Sequence, residues 1–547
     1  MGVGSDALRR SLRARASGGT ADDVDPDAAR AGRGSGSDSV WLILAVLGII
    51  GVGVALRFIA RSDLWADEVL SVNIARLPLS ELREALRHDG APPLYYALLH
   101  IWMEVFGTGN EAVRSLSGLF GVLALIPAWY AGRCLDERRI ATGLQSPGSR
   151  TIAWTMVLLL ASSPFAIRYA TEARMYALVM LLVLLGYLAL LRVYERPSWG
   201  RLLSLAAVAA LLLYTHYWAF ALLAVVGLWL VAVAVRGPTE SRRSAWLAIG
   251  ALGVGALAFI PWLPTFLHQT AHTGTPWGSP VSPVSSTAEA VKSFGGNTHA
   301  VGWALLLMVL LAVFARATDG RHIELDLWTR PGVRMEFFIG FITLGLGLVL
   351  ARLTGTTFEG RYASVMFPLF LLTAAFGVIV FSNRGIRYAV IALLVVGGFW
   401  GGTSNALRSR TQAFQVANAI RDHGHAGDLV VYCPDSIGTD VSRLLREDVR
   451  QVGLPGFTTP GRIDWVDYGD RVDAMRPIDA VKEIARRAGA GNTIWFVYTN
   501  GAQELDTKCG LIADGLTVIR SRLRVIEPDP YFFENQGLYQ YPPSSTG

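Results

Sequence analysis

TIAWTMVLLLASSPFAIRYATEARMYALVMLLVLLGYLALLRVYERPSWGRLLSLAAVAALLLYTHYWAFALLAVVGLWLVAVAVR, residues 151–236, is the stretch that decides the fold class. It holds apolar runs at 152–168, 175–194, 202–214 and 217–235. Each is near the ~20 residues a helix needs to cross a hydrocarbon core ~30 Å thick. The links alternate in kind: polar and aromatic residues (ATEARM, THYW) on one side, and a basic segment (RVYERPSWGR) on the other. Outward from this stretch the pattern recurs at 41–60, 112–133, 246–266, 300–315, 336–352, 363–381 and 388–403. The expectation is an all-α polytopic membrane domain over 39–404 with about eleven transmembrane helices.

Composition points the same way. Of the 547 residues 52% are hydrophobic and only 17% charged, against about 25% charged in soluble domains. This excludes a wholly disordered chain and disfavours an ordinary soluble enzyme. The formal charge of +6 is carried mainly by Arg in short links between apolar runs. That placement reads as membrane orientation, with a lipid bilayer and not nucleic acid as the partner.

Residues 1–38 are rich in Gly, Ser, Ala, Asp and Arg, and are expected to form a disordered cytoplasmic tail. With that tail inside, the cytoplasmic links carry Arg133, Arg138, Arg139 and Arg150, then Arg192, Arg196 and Arg201, then Arg236, Arg242 and Arg243. Arg316, Arg321, Arg330 and Arg334, and finally Arg384 and Arg387, complete the set. Every such link is basic, as the positive-inside rule requires in a multi-pass plasma-membrane protein. An odd number of spans then places the C-terminus outside the cytoplasm.

Beyond 405 charges return. DLVVYC (428–433) and TIWFVYT (493–499) read as strands, and FQVANAIRDHG and PIDAVKEIARRAG as helices. Residues 405–547 are expected to form a soluble extracytoplasmic α/β domain. There Cys433 and Cys509 either form a disulfide or are two free core cysteines. The three cysteines, Cys134 included, have no zinc-like spacing.

The outer links collect the polar chemistry. Residues 61–111 begin with Asp63-Leu64-Trp65-Ala66-Asp67-Glu68, continue with an amphipathic segment, and end in APPLYYALLHIWMEVFG. Helical periodicity between two membrane spans predicts interfacial helices. Paired carboxylates beside a membrane suit general-base work on an acceptor hydroxyl, while a solvated helix start is the plainer reading. The next outer link, Arg168 to Tyr176, holds Glu172 between Arg168 and Arg174. Such charges need partners or a wet cavity. Then come Tyr214-Thr215-His216-Tyr217-Trp218 and Glu359-Gly360-Arg361-Tyr362. An Arg at the outer end of a span runs against the orientation bias; it points to an anionic partner, or to snorkelling.

The strings LWADEVLS, DGAPPLYYALLHIW, SPFAIRYATEARMYAL, YTHYW and GRYASVMFP, in this order, resemble the bacterial branch of the polyprenyl-phosphate-sugar glycosyltransferases of the GT-C superfamily. That superfamily includes the protein O-mannosyltransferases and the lipid A aminoarabinose transferase. The resemblance spans 41–400 and implies an inverting transfer from a polyprenyl-phosphate sugar, mannose foremost, to a hydroxyl of an envelope glycan, lipid or protein. It implies Asp67 as base, Glu68 as its companion at the acceptor, and Glu172 as a further acid with Arg174 beside it. Arg361 would hold the donor phosphate, with His216 and Tyr217 near sugar or phosphate and Arg168 and Asp89 on the donor side. Relatives often have His before the Pro-Pro pair, where this chain has Asp89-Gly90-Ala91-Pro92-Pro93. The His contact with the donor is missing unless His88 supplies it from another position. No cofactor is implied, although Asp67, Glu68, Glu172 and Glu359 are chemically able to ligate a divalent cation. A transporter or flippase of lipid-linked sugars is the competing class. It would be expected to show broken helices with polar residues at mid-membrane depth, whereas here the polar residues collect at one rim.

Overall fold

The computed structural model describes residues 36–543 apart from 143–144, 147, 276–277, 279–280, 319–321, 327, 329–330, 447 and 501–503. The expected disordered tail therefore lies outside the described residues up to 35, as do Arg321 and Arg330. Residues 36–38, assigned above to the tail, already belong to the first helix, Gly36–Leu56.

Every expected span falls largely on helix, but not all are full length. Among the described residues six helices are long and apolar enough to cross a membrane: Asn110–Ala141, Tyr176–Glu195, Ala219–Arg236, Thr239–His272, Arg334–Thr354 and Arg384–Leu407. Two bent pairs raise the number to as many as eight. The rest of the expected eleven, Val40–Leu56, Trp199–Thr215 and Phe367–Val378, are shorter apolar helices. Phe367–Val378 is buried along its whole length, so its neighbours in the bundle cover it and lipid does not. Gly377 lets it lie directly on the Met308 backbone, which leaves no room for a Cβ.

Breaks in the helices do specific work. The expected single span 152–168 is two helices, Thr151–Ser162 and Pro164–Ala170, bent by 54°. Pro164 has no N–H to continue the ladder, and Ser163 Oγ instead accepts from the Ala166 N–H at 3.2 Å. The bend turns Arg168 and Glu172 toward the centre of one rim. The start of this unit is held by buried Asp136, whose carboxylate accepts from the N–H groups of Ile152 and Ala153 at 3.1 and 3.0 Å. The second bent pair, Pro283–Phe294 and His299–Phe314, turns by 104° and adds a helix to what was read as an outer loop. The link between the helices His299–Phe314 and Arg334–Thr354 contains a hairpin of β1 (Ala315–Thr318) and β2 (His322–Leu325).

On the rim, 61–111 folds into the helices Ala66–Ala75, Leu79–Asp89 and Leu94–Phe106. The chain from 413 forms a mixed sheet of β3 (Leu429–Cys433), β4 (Arg450–Gly453), β5 (Ile494–Tyr498), β6 (Leu523–Ile526) and β7 (Gly537–Tyr541), in the order β4-β3-β5-β7-β6. β3 pairs parallel with β4 and β5, while β7 is antiparallel to β5 and β6. β3, read from its apolar run, is buried at every position. Cys433 and Cys509 form a disulfide between β3 and the helix Glu504–Ile519, which resolves the alternative left open above.

This sheet domain rests on the interfacial helices. Trp465 N–H donates to the His88 carbonyl at 2.9 Å, and Asn73 Nδ2 donates to the Gly461 carbonyl at 2.7 Å. His88 Nδ1 meets Asp464 Oδ1 at 2.8 Å. His88 is thus engaged in the contact between the sheet domain and the interfacial helices.

Candidate active site

Trp65, in extended conformation, starts the helix Ala66–Ala75, so Asp67 and Glu68 fall in its first turn, where free N–H groups favour carboxylates. The two side chains then part. Glu68 is fully buried. Its Oε1 accepts from Arg114 Nε at 2.7 Å and from the Ala173 N–H at 2.9 Å, and its Oε2 accepts from Arg114 Nη2 at 2.6 Å. Burial acts to raise this carboxyl, but the charge and hydrogen bonds of Arg114 hold it below the usual range. Glu68 therefore joins three chain segments, with both carboxylate oxygens engaged by Arg114 and one also by the Ala173 N–H.

Asp67 faces the other way and stays 27% exposed. Arg361 Nη1 approaches its Oδ2 at 2.9 Å and Arg174 Nη2 at 3.8 Å. Arg174 also donates to Ser71 Oγ at 3.2 Å. Arg361 is aimed by the extended Glu359 and the 3₁₀ turn Gly360–Val365. Its guanidinium carbon lies 5.6 Å from the Trp65 ring and 5.8 Å from that of Tyr362. Burial pushes the Glu359 carboxyl up.

Glu172 is fully buried in the link after the Pro164 bend, with Arg168 Nε 3.2 Å from its Oε2. Burial pushes this carboxyl up, and Arg168 and Arg410 oppose the shift. His216 is buried, its ring 5.7 Å from those of Tyr176 and Tyr362. Burial, reinforced by Arg174 and Arg361, lowers its pKa to about 3, so the imidazole is neutral at physiological pH. Asp89 accepts from Tyr96 Oη at 2.9 Å, and burial raises its carboxyl. Tyr217 does not join this group. Its hydroxyl is held by Gln269 and by Trp262 Nε1, and its ring packs on Phe266.

Beside these residues lies a cavity of about 550 Å³ whose walls include Trp65, Arg168, Glu172 and Arg361. Arg408 and Arg410 line it too, and neither was singled out from sequence. Buried Arg410 donates to the Thr171 carbonyl at 2.7 Å and to Thr171 Oγ1 at 2.6 Å, fixing the link that carries Glu172. The argument that drew attention to Arg361, a cation at the outer end of a span, also fits Arg114, Arg408 and Arg410. Among the described residues no three His, Cys, Asp or Glu side chains converge as metal ligands. Asp67, Glu68 and Glu172 are each engaged by arginine instead.

No protein-family model matches the sequence, and no curated protein matches it significantly. Solved structures do match. ArnT from Cupriavidus metallidurans in the apo state is 14% identical over 92% of this chain and 98% of its own, with a TM-score of 0.58. The same protein bound to undecaprenyl phosphate is also 14% identical, covering 93% and 98%, with a TM-score of 0.52. The aligned part thus extends beyond 41–400. At this level of identity the likeness is one of fold: over nearly its whole length the chain shares the fold of ArnT from Cupriavidus metallidurans.

Proposed function

We propose that this protein moves a sugar, mannose foremost, from a polyprenyl-phosphate donor to a hydroxyl of an envelope glycan, lipid or protein on the extracytoplasmic side, with inversion. The observation that carries this reading is the Asp67–Arg361 pair, at 2.9 Å, beside a cavity of about 550 Å³. The binding of undecaprenyl phosphate by a protein of the same fold supports the donor class. The disulfide and the basic links on the opposite side support the orientation.

In this mechanism the acceptor oxygen attacks C1 of the sugar opposite the phosphate. The C1–O bond breaks, and its electron pair leaves with the phosphate. The hydroxyl proton passes to Asp67, a half-buried carboxylate placed to act as base. Arg361 and Arg174 stabilise the charge that grows on the leaving phosphate. Neutral His216 packs against the rings of Tyr176 and Tyr362. Glu172, held by Arg168, shapes the cavity wall.

The test is transfer of radiolabelled sugar from polyprenyl-phosphate mannose, and in parallel from the arabinose donor, in membranes containing wild type or Asp67→Asn. Label should move to an envelope acceptor in wild type and fall by about 10²–10⁴-fold in the variant. Wild-type turnover in Asp67→Asn would move the base elsewhere. No transfer from any polyprenyl-phosphate sugar would overturn the reading.

A further inference from the structure

The connection 527–536 (EPDPYFFENQ) between β6 and β7 leaves the sheet domain and forms a wall of the membrane-side cavity. It is pinned at both ends. Gln412 Oε1 accepts from the N–H groups of Asp529 and Gln536, both at 3.0 Å, and Gln412 Nε2 donates to the Glu527 carbonyl at 2.9 Å. Between these points Glu534 N–H donates to the Arg410 carbonyl at 2.8 Å. Glu534 Oε2 also accepts from the Ala66 N–H at 3.3 Å, one residue before Asp67.

The pinned connection displays aromatic rings. Tyr531 is 56% and Phe533 60% exposed, unusual for large rings in a rigid segment. Phe533 stands edge-on to Trp65 at 5.2 Å, with the Arg168 guanidinium 5.5 Å from its ring. The Arg408 guanidinium lies 4.3 Å from the ring of Tyr531. The same cavity is also lined by Glu289, His299, Asn405 and Ser409. Among the described residues none of these four side chains has a hydrogen bond or ion pair within the protein.

An exposed aromatic ring lining the same cavity as unengaged amide, carboxylate and hydroxyl groups matches one ligand chemistry. A pyranose or furanose ring offers C–H groups on one face, which pack on an aromatic ring, and hydroxyls at its edge, which pair with planar polar side chains. We propose that Phe533, with Glu289, Asn405 and Ser409, forms a saccharide subsite that takes sugar units of a glycan acceptor next to the hydroxyl to be glycosylated. The acceptor role rests on the transferase reading above; the saccharide binding does not. The outer domain thereby completes the active site, because the aromatic half of the subsite comes from its chain.

The test uses full-length protein in nanodiscs free of sugar detergents. Neutral tetrasaccharides of mannose, arabinose, glucose or galactose are added one at a time, and binding is read by saturation-transfer NMR. At least one should bind wild type and Asp67→Asn. Affinity should fall roughly tenfold or more in Phe533→Ala and in Asn405→Ala, and recover in Phe533→Trp, at unchanged melting temperature. Absence of binding by every tetrasaccharide, equal binding by Phe533→Ala, or binding of a Ser/Thr peptide instead would overturn the proposal. Phe533-dependent binding without any sugar transfer would leave the subsite standing and remove the transferase reading. Transfer with an acceptor KM unchanged in Phe533→Ala would do the reverse.

Discussion

Arg361 Nη1 and Asp67 Oδ2 are 2.9 Å apart, so the group proposed to hold the donor phosphate is ion-paired with the carboxylate proposed as base. A phosphate oxygen arriving at Arg361 competes for the same N–H groups and releases Asp67 to take a proton. Donor binding and base activation are then one event. Arg361→Ala should raise the donor KM about 10–100-fold, the worth of one or two charge-assisted hydrogen bonds. Arg361→Lys should fall between, keeping the charge and losing the fork. Steady-state kinetics against donor concentration measure this, and an unchanged donor KM in Arg361→Ala would end the phosphate assignment.

Glu68 and Arg114 make a different prediction, although Glu68 is the neighbour of Asp67 in sequence. The side chains are 0% and 6% exposed and share two hydrogen bonds. Glu68→Gln leaves Arg114 buried without a counter-charge, at a cost of about 3–5 kcal/mol. The expected result is a lowered melting temperature and poor yield, not a selective loss of turnover. A Glu68→Gln variant that folds like wild type but is inactive would return Glu68 to the chemistry.

A pH effect should come from the sheet domain. Burial pushes Asp435 up to about 6, opposed by the hydrogen bond from Tyr468 Oη at 2.7 Å and by Arg471. A raised carboxyl contributes stability that is fully present below the unfolded value of about 3.9 and is lost as pH rises through the folded value. From this group the domain should lose roughly 2–3 kcal/mol between pH ~4 and ~6, then level off. Thermal unfolding across that range, with Asp435→Asn alongside, is the check: the variant should lack this component of the pH dependence.

The Cys433–Cys509 bridge closes a loop with a sequence separation of 76. Cys433→Ser, or reduction, should destabilise the sheet domain by about 2–4 kcal/mol. Because 527–536 belongs to that domain and lines the cavity, transfer should weaken along with the melting transition. Melting curves and transfer rates with and without reductant test both halves; full activity after domain melting would sever the proposed link between them.

The sequence by itself determined the class of fold and most of the rim. Apolar run length reports helices that cross a bilayer, because the thickness of the hydrocarbon core sets how many residues a span needs. Alternating Arg-rich links report sidedness, because the translocation of basic loops is selected against. Asp67 stood out as one of two paired carboxylates beside the membrane, Glu172 because charges beside apolar spans need partners, and Arg361 because a cation at that end of a span runs against the orientation bias. The tertiary structure decided what each charge does. Asp67 and Glu68 are adjacent in sequence, yet one stays partly exposed and pairs with Arg361 while the other is locked by Arg114, since successive residues on a helix point about 100° apart and only packing says which side is core. The sequence was equally silent on Arg410 and Phe533, whose partners Thr171 and Trp65 lie hundreds of residues away. That meeting depends on how the sheet domain docks on the interfacial helices, which is a matter of surface complementarity and leaves no local pattern in the chain.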